Sequence, residues 1–295
     1  MTGPDPRWTD ADGTPVDEED RGLGHDLRTL VGRRRALGLF GGVSAAALLA
    51  ACGGSGSTAA TTPSSSSGAS AGGAPSASDP SGAASSGGIT EVPDETGGPF
   101  PGDGSNGIDV LDDSGIVRRD VRSSFGASTT TAAGIPLTVR LTVRDAASGD
   151  VVSGAGVYVW HCDREGRYSL YSSGAENENY LRGVQQVDDT GTATFTTIFP
   201  GCYAGRWPHI HFEVYGSLAD ATGSGPIVKT SQIALPKESC DVVYASAGYE
   251  QSVSNLSRTS LARDNVFGDD GGIHQIASMS GDAAAGYTAA LTIGV

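Results

Sequence analysis

The sequence predicts an all-β fold: an antiparallel β-sandwich core with long loops and one short helix. Three observations lead there. Short runs alternate apolar and polar residues with period two, turn signals separate these runs, and only one segment has helical periodicity. Residues 137–143 read Leu-Thr-Val-Arg-Leu-Thr-Val, the pattern of a strand with one buried face. A Ser-Gly-Asp turn within 145–150 ends that run, and 156–162, rich in β-branched and aromatic residues, forms the second strand. Residues 192–198 alternate again, and 210–215 and 227–235 are further strands. Turn sequences punctuate them: Asp163-Arg164-Glu165-Gly166, Asp188-Asp189-Thr190-Gly191 and Pro200-Gly201. The helix is expected over 238–256, where Val242, Val243, Ala247 and Tyr249 are partly periodic. The loosely alternating tail, 277–295, adds one or two strands, and no internal repeat is present.

The N-terminal third has a different character. Residues 32–38 (Gly-Arg-Arg-Arg-Ala-Leu-Gly) lead into an apolar run, 37–51, that ends at Cys52. About 15 apolar residues are too few to span a bilayer as a mature helix. Basic residues, then a short apolar stretch, then small residues form an export signal, so 1–52 is assigned to one. Arg34-Arg35 with Leu37 resembles the twin-arginine signal, whose pathway exports folded proteins. Leu49-Ala50-Ala51-Cys52 resembles a lipoprotein signal-peptidase box, with Cys52 as the lipidated first residue of the mature chain. Acylation there would hold the protein on a membrane surface, facing the outside of a bacterial cell; the alternative is secretion. Residues 53–90 are mostly Gly, Ser, Ala, Thr and Pro and read as a disordered tether, leaving 91–295 as the folded domain.

A formal net charge of −15 disfavours a nucleic-acid partner. Apart from Cys52, the cysteines are Cys162, Cys202 and Cys240, which fit an oxidising compartment and allow three single pairings. Of these, Cys202–Cys240 is favoured, and it would stiffen the loop that holds Tyr203.

The sharpest chemical feature is Arg206-Trp207-Pro208-His209-Ile210-His211. Residues two apart on a strand share a face, so both imidazoles project together, roughly 6–7 Å apart at Cα. That suits two nitrogen ligands on one metal, although His-x-His alone is compatible with zinc, copper and cupin-type sites. Tyr203 lies six residues before His209, and Tyr168 closes the turn after the second strand. Phenolates are hard anionic oxygens, and with two imidazoles they suit ferric iron better than zinc. Two of them neutralise two of the three charges on Fe(III), and the metal itself would ionise phenols whose free pKa is near 10. Two competing readings use the same residues differently: a zinc- or copper-binding protein whose tyrosines merely pack, and a non-enzymatic sandwich module that binds aromatic or carbohydrate ligands.

With these motifs in place, the chain resembles the intradiol ring-cleavage dioxygenases, which include catechol and protocatechuate 3,4-dioxygenases. Gly97-Gly98-Pro99-Phe100 opens the match, which continues through 151–235. Trp160 followed by Gly166-Arg167-Tyr168-Ser169 is similar to the segment carrying the family's first tyrosine ligand. Tyr180-Leu181-Arg182-Gly183, the 188–191 turn and Thr197-Ile198-Phe199-Pro200-Gly201-Cys202-Tyr203 resemble the stretch leading to the second. Arg206 and the pair His209 and His211 follow in the family's order and spacing.

The resemblance implies a non-haem Fe(III) held by Tyr168, Tyr203, His209 and His211, with solvent completing the coordination. It implies a catechol bound through both oxygens as a dianion, displacing solvent and Tyr203, while Tyr168 and His209 stay. Tyr203 and the bound hydroxide would accept the two substrate protons. Oxygen would then insert between the two hydroxylated carbons to give a muconate-type diacid. Arg206 would stabilise charge developing on the ring, and Gln232 would hydrogen-bond in the same pocket. Trp160 and Trp207 are assigned to packing, Tyr171 and Tyr180 to pocket wall or core, and His274 to solvent. His161 faces away from Trp160 by alternation. Phe100 stands where the family often has a tyrosine, so one pocket hydroxyl is missing; that and the acidic balance lean away from an anionic ring. The dimerising region of intracellular catechol dioxygenases is absent, so no oligomeric state carries over.

Overall fold

The computed structural model describes residues 88–295; the export signal, Cys52 and nearly all of the tether lie outside the described residues. Eight strands form two four-stranded sheets: β1 (Pro136–Arg144), β2 (Gly156–Trp160), β3 (Arg182–Gln186), β4 (Thr192–Ile198), β5 (His209–Tyr215), β6 (Ile227–Ala234), β7 (Ser278–Asp282) and β8 (Gly286–Gly294). The first sheet has the order β4-β1-β8-β7 and the second β3-β2-β5-β6.

The alternation read from the sequence is what divides inside from outside. Leu137, Val139, Leu141 and Val143 of β1 are buried, as are Ala193 and Phe195 of β4. They share one cluster with Val157 and Val159 of β2 and Ile210, Phe212 and Val214 of β5. Both sheets therefore contribute an apolar face to a single core, where each large aliphatic side chain contributes about 1.5–3 kcal/mol by burial. The alternate residues of the second sheet point the other way. Tyr158, Trp160 and Tyr215 lie in a second cluster with Tyr168, flanked by Phe100, Leu170, Tyr171 and Tyr203 from loops. Because β5 is buried along its whole length, its polar face (His209, His211, Glu213) is covered by these loops rather than by solvent.

Three expectations need correction. The sheets are not wholly antiparallel: β8 runs parallel to β1, from Leu137↔Tyr287 to Arg144↔Gly294. A period-two pattern reports which face is buried and carries no information on the direction of a distant partner. The single helix is also interrupted. α1 (Leu218–Ala221) is short and capped by Ser217, whose side chain accepts from the Asp220 N–H. The predicted segment divides into α2 (Lys237–Tyr244) and α3 (Glu250–Leu256), with Gly248 at φ 93 between them. A left-handed residue cannot continue a right-handed helix, and glycine adopts that conformation without a Cβ clash. Among the described residues, no helix is long and apolar enough to cross a membrane.

The third correction concerns the favoured disulfide. Cys202 and Cys240 are separate buried thiols. Hydrogen bonds fix the loop after β4 instead. Tyr244 and Tyr249 donate through their hydroxyls to the carbonyls of Pro200 (3.1 Å) and Phe199 (2.8 Å). Ser252 Oγ accepts from the Cys202 N–H at 2.9 Å, and Asn255 Nδ2 donates to the Cys202 carbonyl at 2.8 Å. Four polar side chains of the α2–α3 region thus hold the backbone that carries Tyr203.

Candidate metal centre

His209 opens β5, and the strand's pleat sends His209 and His211 to one face, as their spacing predicts. His211 is the register partner of Trp160 across the sheet, and the indole stacks on its imidazole with centroids 4.8 Å apart and planes 7° from parallel. Tyr168 arrives from the turn after β2. There Gly166, at φ 88, lets the turn lie against Tyr203; a Cβ would come within 3.1 Å of the Tyr203 Cβ. Gly98, also left-handed, brings the 97–100 segment close to His211, where a Cβ would sit 3.3 Å from Cε1. The next two turns of chain are strained as well: Leu170 (φ 75) and Leu181 (φ 59) occupy the left-handed region, beside Ser169 and Arg182.

These elements bring four side-chain atoms together. From His209 Nε2, the Tyr168 hydroxyl lies at 3.3 Å, the Tyr203 hydroxyl at 3.2 Å and His211 Nε2 at 3.1 Å. His209 Nδ1 is 2.5 Å from the Trp207 carbonyl oxygen, which can only accept, so Nδ1 carries the proton and Nε2 presents a lone pair. Burial, reinforced by Arg206, holds the His209 imidazole below its usual range. Burial and the neighbouring His209 hold His211 well below it. Both rings are therefore neutral. Burial and the adjacent Tyr203 push the Tyr168 phenol well above 10, so without a nearby cation it stays protonated.

The donor set fits one metal ion. Metal–ligand bonds of about 2.0–2.2 Å put neighbouring ligand atoms about 3 Å apart, which is the spacing here. The Nδ1–H to carbonyl hydrogen bond is the arrangement that orients a ligating imidazole. Among the described residues, no group of three or more His, Cys, Asp or Glu side chains is placed to hold a metal, so any site at this position needs the phenols. Tyr168, His209 and His211 are buried, whereas Tyr203 is partly exposed and marks the open side.

Arg206 and Gln232 lie beside these four. Arg206 Nη2 donates to Gln232 Oε1 at 2.7 Å, and Nη1 is 3.5 Å from His209 Nε2. Gln232, a register partner of His211, donates through Nε2 to the Thr96 carbonyl at 2.9 Å. Phe100 packs at 5.0 Å from the Tyr168 ring and 5.1 Å from that of Tyr171, forming an aromatic wall. His161 points away, as alternation predicts: Nε2 meets Thr197 Oγ1 and Nδ1 meets the Cys162 carbonyl, both at 2.7 Å. Trp207 packs in the main core, its indole N–H donating to the Leu235 carbonyl. Tyr180 donates to Asp163, and Tyr171 to Asn106. His274 lines a surface groove with Ile89 and Ile273.

Sequence reasoning missed two neighbours. Asp264 pairs with Arg206 through Nε at 3.0 Å from an irregular segment near the C-terminus. Glu95, half-buried, has its carboxyl raised to about 7 by burial and by Asp269, with Arg206 also acting on it. Neither sits in a motif, and only the fold brings them close.

A dioxygenase family model (described as "Dioxygenase") matches residues 123–221, a span that includes Tyr168, Tyr203, Arg206, His209 and His211. No curated protein matches the chain. Among solved structures, an intradiol ring-cleavage dioxygenase from Tetranychus urticae aligns with a TM-score of 0.56 and 24% identity, covering 70% of this chain and 94% of its own. The dioxygenase domain of a dioxygenase–carbohydrate-binding protein fusion from Streptomyces sp. SirexAA-E aligns at 0.45 and 22%, covering 70% and 98%. The resemblance first seen in the tyrosine and histidine motifs is thus met again in the family match and in the backbone, and the described domain has the fold of the intradiol ring-cleavage dioxygenases.

Proposed function

We propose that this chain is a non-haem Fe(III) intradiol dioxygenase that cleaves catechol-type rings between the two hydroxylated carbons, placing both atoms of O2 in a muconate-type diacid. The observation that carries the proposal is the convergence of the Tyr168 and Tyr203 hydroxyls and His211 Nε2 within 3.1–3.3 Å of His209 Nε2. Bound there by these four side chains, Fe(III) would supply the Lewis acidity and the one-electron chemistry that a closed-shell catechol needs to react with O2.

The chain's own residues do the rest. Tyr203, on the exposed side, is the phenol able to move aside and take a proton from an incoming catechol hydroxyl at its Oη. Tyr168, His209 and His211 are locked by burial, and the Trp207 carbonyl and the Trp160 ring hold the two imidazoles in orientation. Phe100 and Tyr171 exclude water from one side of the ring. Arg206 carries a fixed positive charge at the edge of the site, and Gln232 joins it to the 95–98 segment.

The shared core of the two sheets supports a β-sandwich, and the Arg34-Arg35 and Cys52 motifs support export and lipid anchoring. Apart from its two catechol oxygens, the substrate ring carries no anionic substituent in this reading. Phe100 offers no hydroxyl to a ring substituent, and the chain's formal net charge of −15 leans away from an anionic one. Oxygen uptake against catechol, protocatechuate and hydroxyquinol, with products identified by mass, tests the assignment. A gain of both oxygen atoms in a ring-opened diacid supports it; no uptake by iron-loaded protein with any catechol contradicts it.

A further inference from the structure

We propose that Asp264 is a positioning residue that fixes which nitrogen of Arg206 faces the substrate. The inference rests on the dioxygenase reading above. The Asp264 side chain is fully buried, and 58 positions of chain separate it from Arg206. Its Oδ2 accepts from Arg206 Nε at 3.0 Å and from the Trp207 N–H at 2.6 Å. Its Oδ1 accepts from Arg206 Nη2 at 3.3 Å and from the N–H groups of Val266 and Phe267 at 2.9 and 3.2 Å.

Three of those donors are main chain, so the carboxylate is tied to the framework on both sides and cannot follow the guanidinium if it turns. Arg206 meets it through a two-point contact along its Nε–Nη2 edge, the geometry that gives a carboxylate–arginine pair directional as well as electrostatic hold. Nη2 is also committed to Gln232 Oε1. The remaining nitrogen, Nη1, is the one turned toward the site, 3.5 Å from His209 Nε2. The Trp207 N–H links the same carboxylate to the backbone two residues before His209. Asp264 therefore sets the guanidinium in register with the strand that carries the histidine pair. A charge held in place before the reaction needs no reorganisation during it, which is where such a group accelerates chemistry rather than binding.

The test is a double-mutant cycle on iron-loaded holoprotein: wild type, D264N, R206A and D264N/R206A, each assayed per bound iron. Two further readouts accompany it, iron content and the anaerobic affinity for catechol followed by the visible band. If Asp264 acts through Arg206, D264N keeps iron content and catechol affinity within about threefold and lowers kcat about tenfold or more. The double variant is then no slower than R206A alone. Losses that multiply in the double variant overturn the proposal, as does a D264N protein that fails to fold or loses its iron, because Asp264 would then be a framework residue only. Wild-type protein that binds no iron and consumes no oxygen overturns the dioxygenase reading instead, and that result is visible before any variant is made.

Discussion

The Nε2 atoms of His209 and His211 lie 3.1 Å apart, both buried, with the first presenting a lone pair to the second. Three groups, His211 Nε2 and the Tyr168 and Tyr203 hydroxyls, converge on that single lone pair, which cannot accept a full hydrogen bond from all of them, whereas one cation among the four would satisfy them together. Replacing either histidine by Gln should therefore lower bound iron more than tenfold while leaving the thermal midpoint of the metal-free protein within a few degrees. Metal analysis and calorimetry on the same samples check this. Iron retained at the wild-type level in both variants would remove the histidines from the site.

Phe100 sits against Tyr168 and Tyr171 without a hydroxyl. Phe100→Tyr should leave iron and its visible band in place while adding one polar contact at the ring edge. A hydrogen bond contributes about 1–1.5 kcal/mol, so the ratio of kcat/KM for protocatechuate over catechol should rise by up to about tenfold. Oxygen-uptake kinetics with both substrates measure it; an unchanged ratio would place Phe100 away from the substrate.

The histidine pair was legible because strand spacing is rigid: Ile210 and Phe212 go to the core and His209 and His211 to the opposite face, whatever the surroundings. Tyr168 and Tyr203 were legible from their residue type near the histidine pair and from the family resemblance, but not from spacing, since they sit in turns where spacing dictates no direction. Gln232 was the weakest carry-over, yet β5–β6 register puts it opposite His211 and within 2.7 Å of Arg206. Asp264 had no such signal. Its partners beside the site, Trp207 and Arg206, are 57 and 58 positions distant, and it follows the 3₁₀ turn Leu261–Arg263 rather than a patterned strand. β3 also went unread, because Arg-Gly-Val-Gln-Gln has no clear alternation and is ordered by pairing with β2.

His161 offers a pH test independent of any metal. Burial holds its imidazole down to about 4, from an ordinary 6.5, between Thr197 Oγ1 and the Cys162 carbonyl. The folded state thus binds its proton less readily than the unfolded chain. Stability from the neutral ring is fully present above about pH 6.5 and is lost as the pH falls toward 4, by about 3 kcal/mol. Thermal midpoints of metal-free wild type and His161→Gln, compared at pH 7 and 4.5, isolate it. The variant should lose less on acidification; equal losses would contradict the assignment.

Arg182 is fully buried and donates to Pro101 O, Ser169 O and Ser169 Oγ at 2.8–3.0 Å, tying the Phe100 segment to the Tyr168 turn. Arg182→Met keeps much of the stem's packing but removes the guanidinium from the Ser169 carbonyl and Oγ and leaves the Pro101 carbonyl with the Tyr158 hydroxyl alone. A loss of about 3 kcal/mol in urea unfolding is expected, together with a weaker hold on iron. A variant as stable as wild type would show that other donors or water replace the guanidinium.

The central claim is that two phenols and two imidazoles of this chain hold one ferric ion. The most direct measurement is metal content together with the visible spectrum of native protein, Tyr168→Phe and Tyr203→Phe. The expected result is close to one iron per chain and a red-to-burgundy tyrosinate-to-iron band that each substitution shifts or bleaches. Native protein without iron, or a band indifferent to both tyrosines, would contradict it.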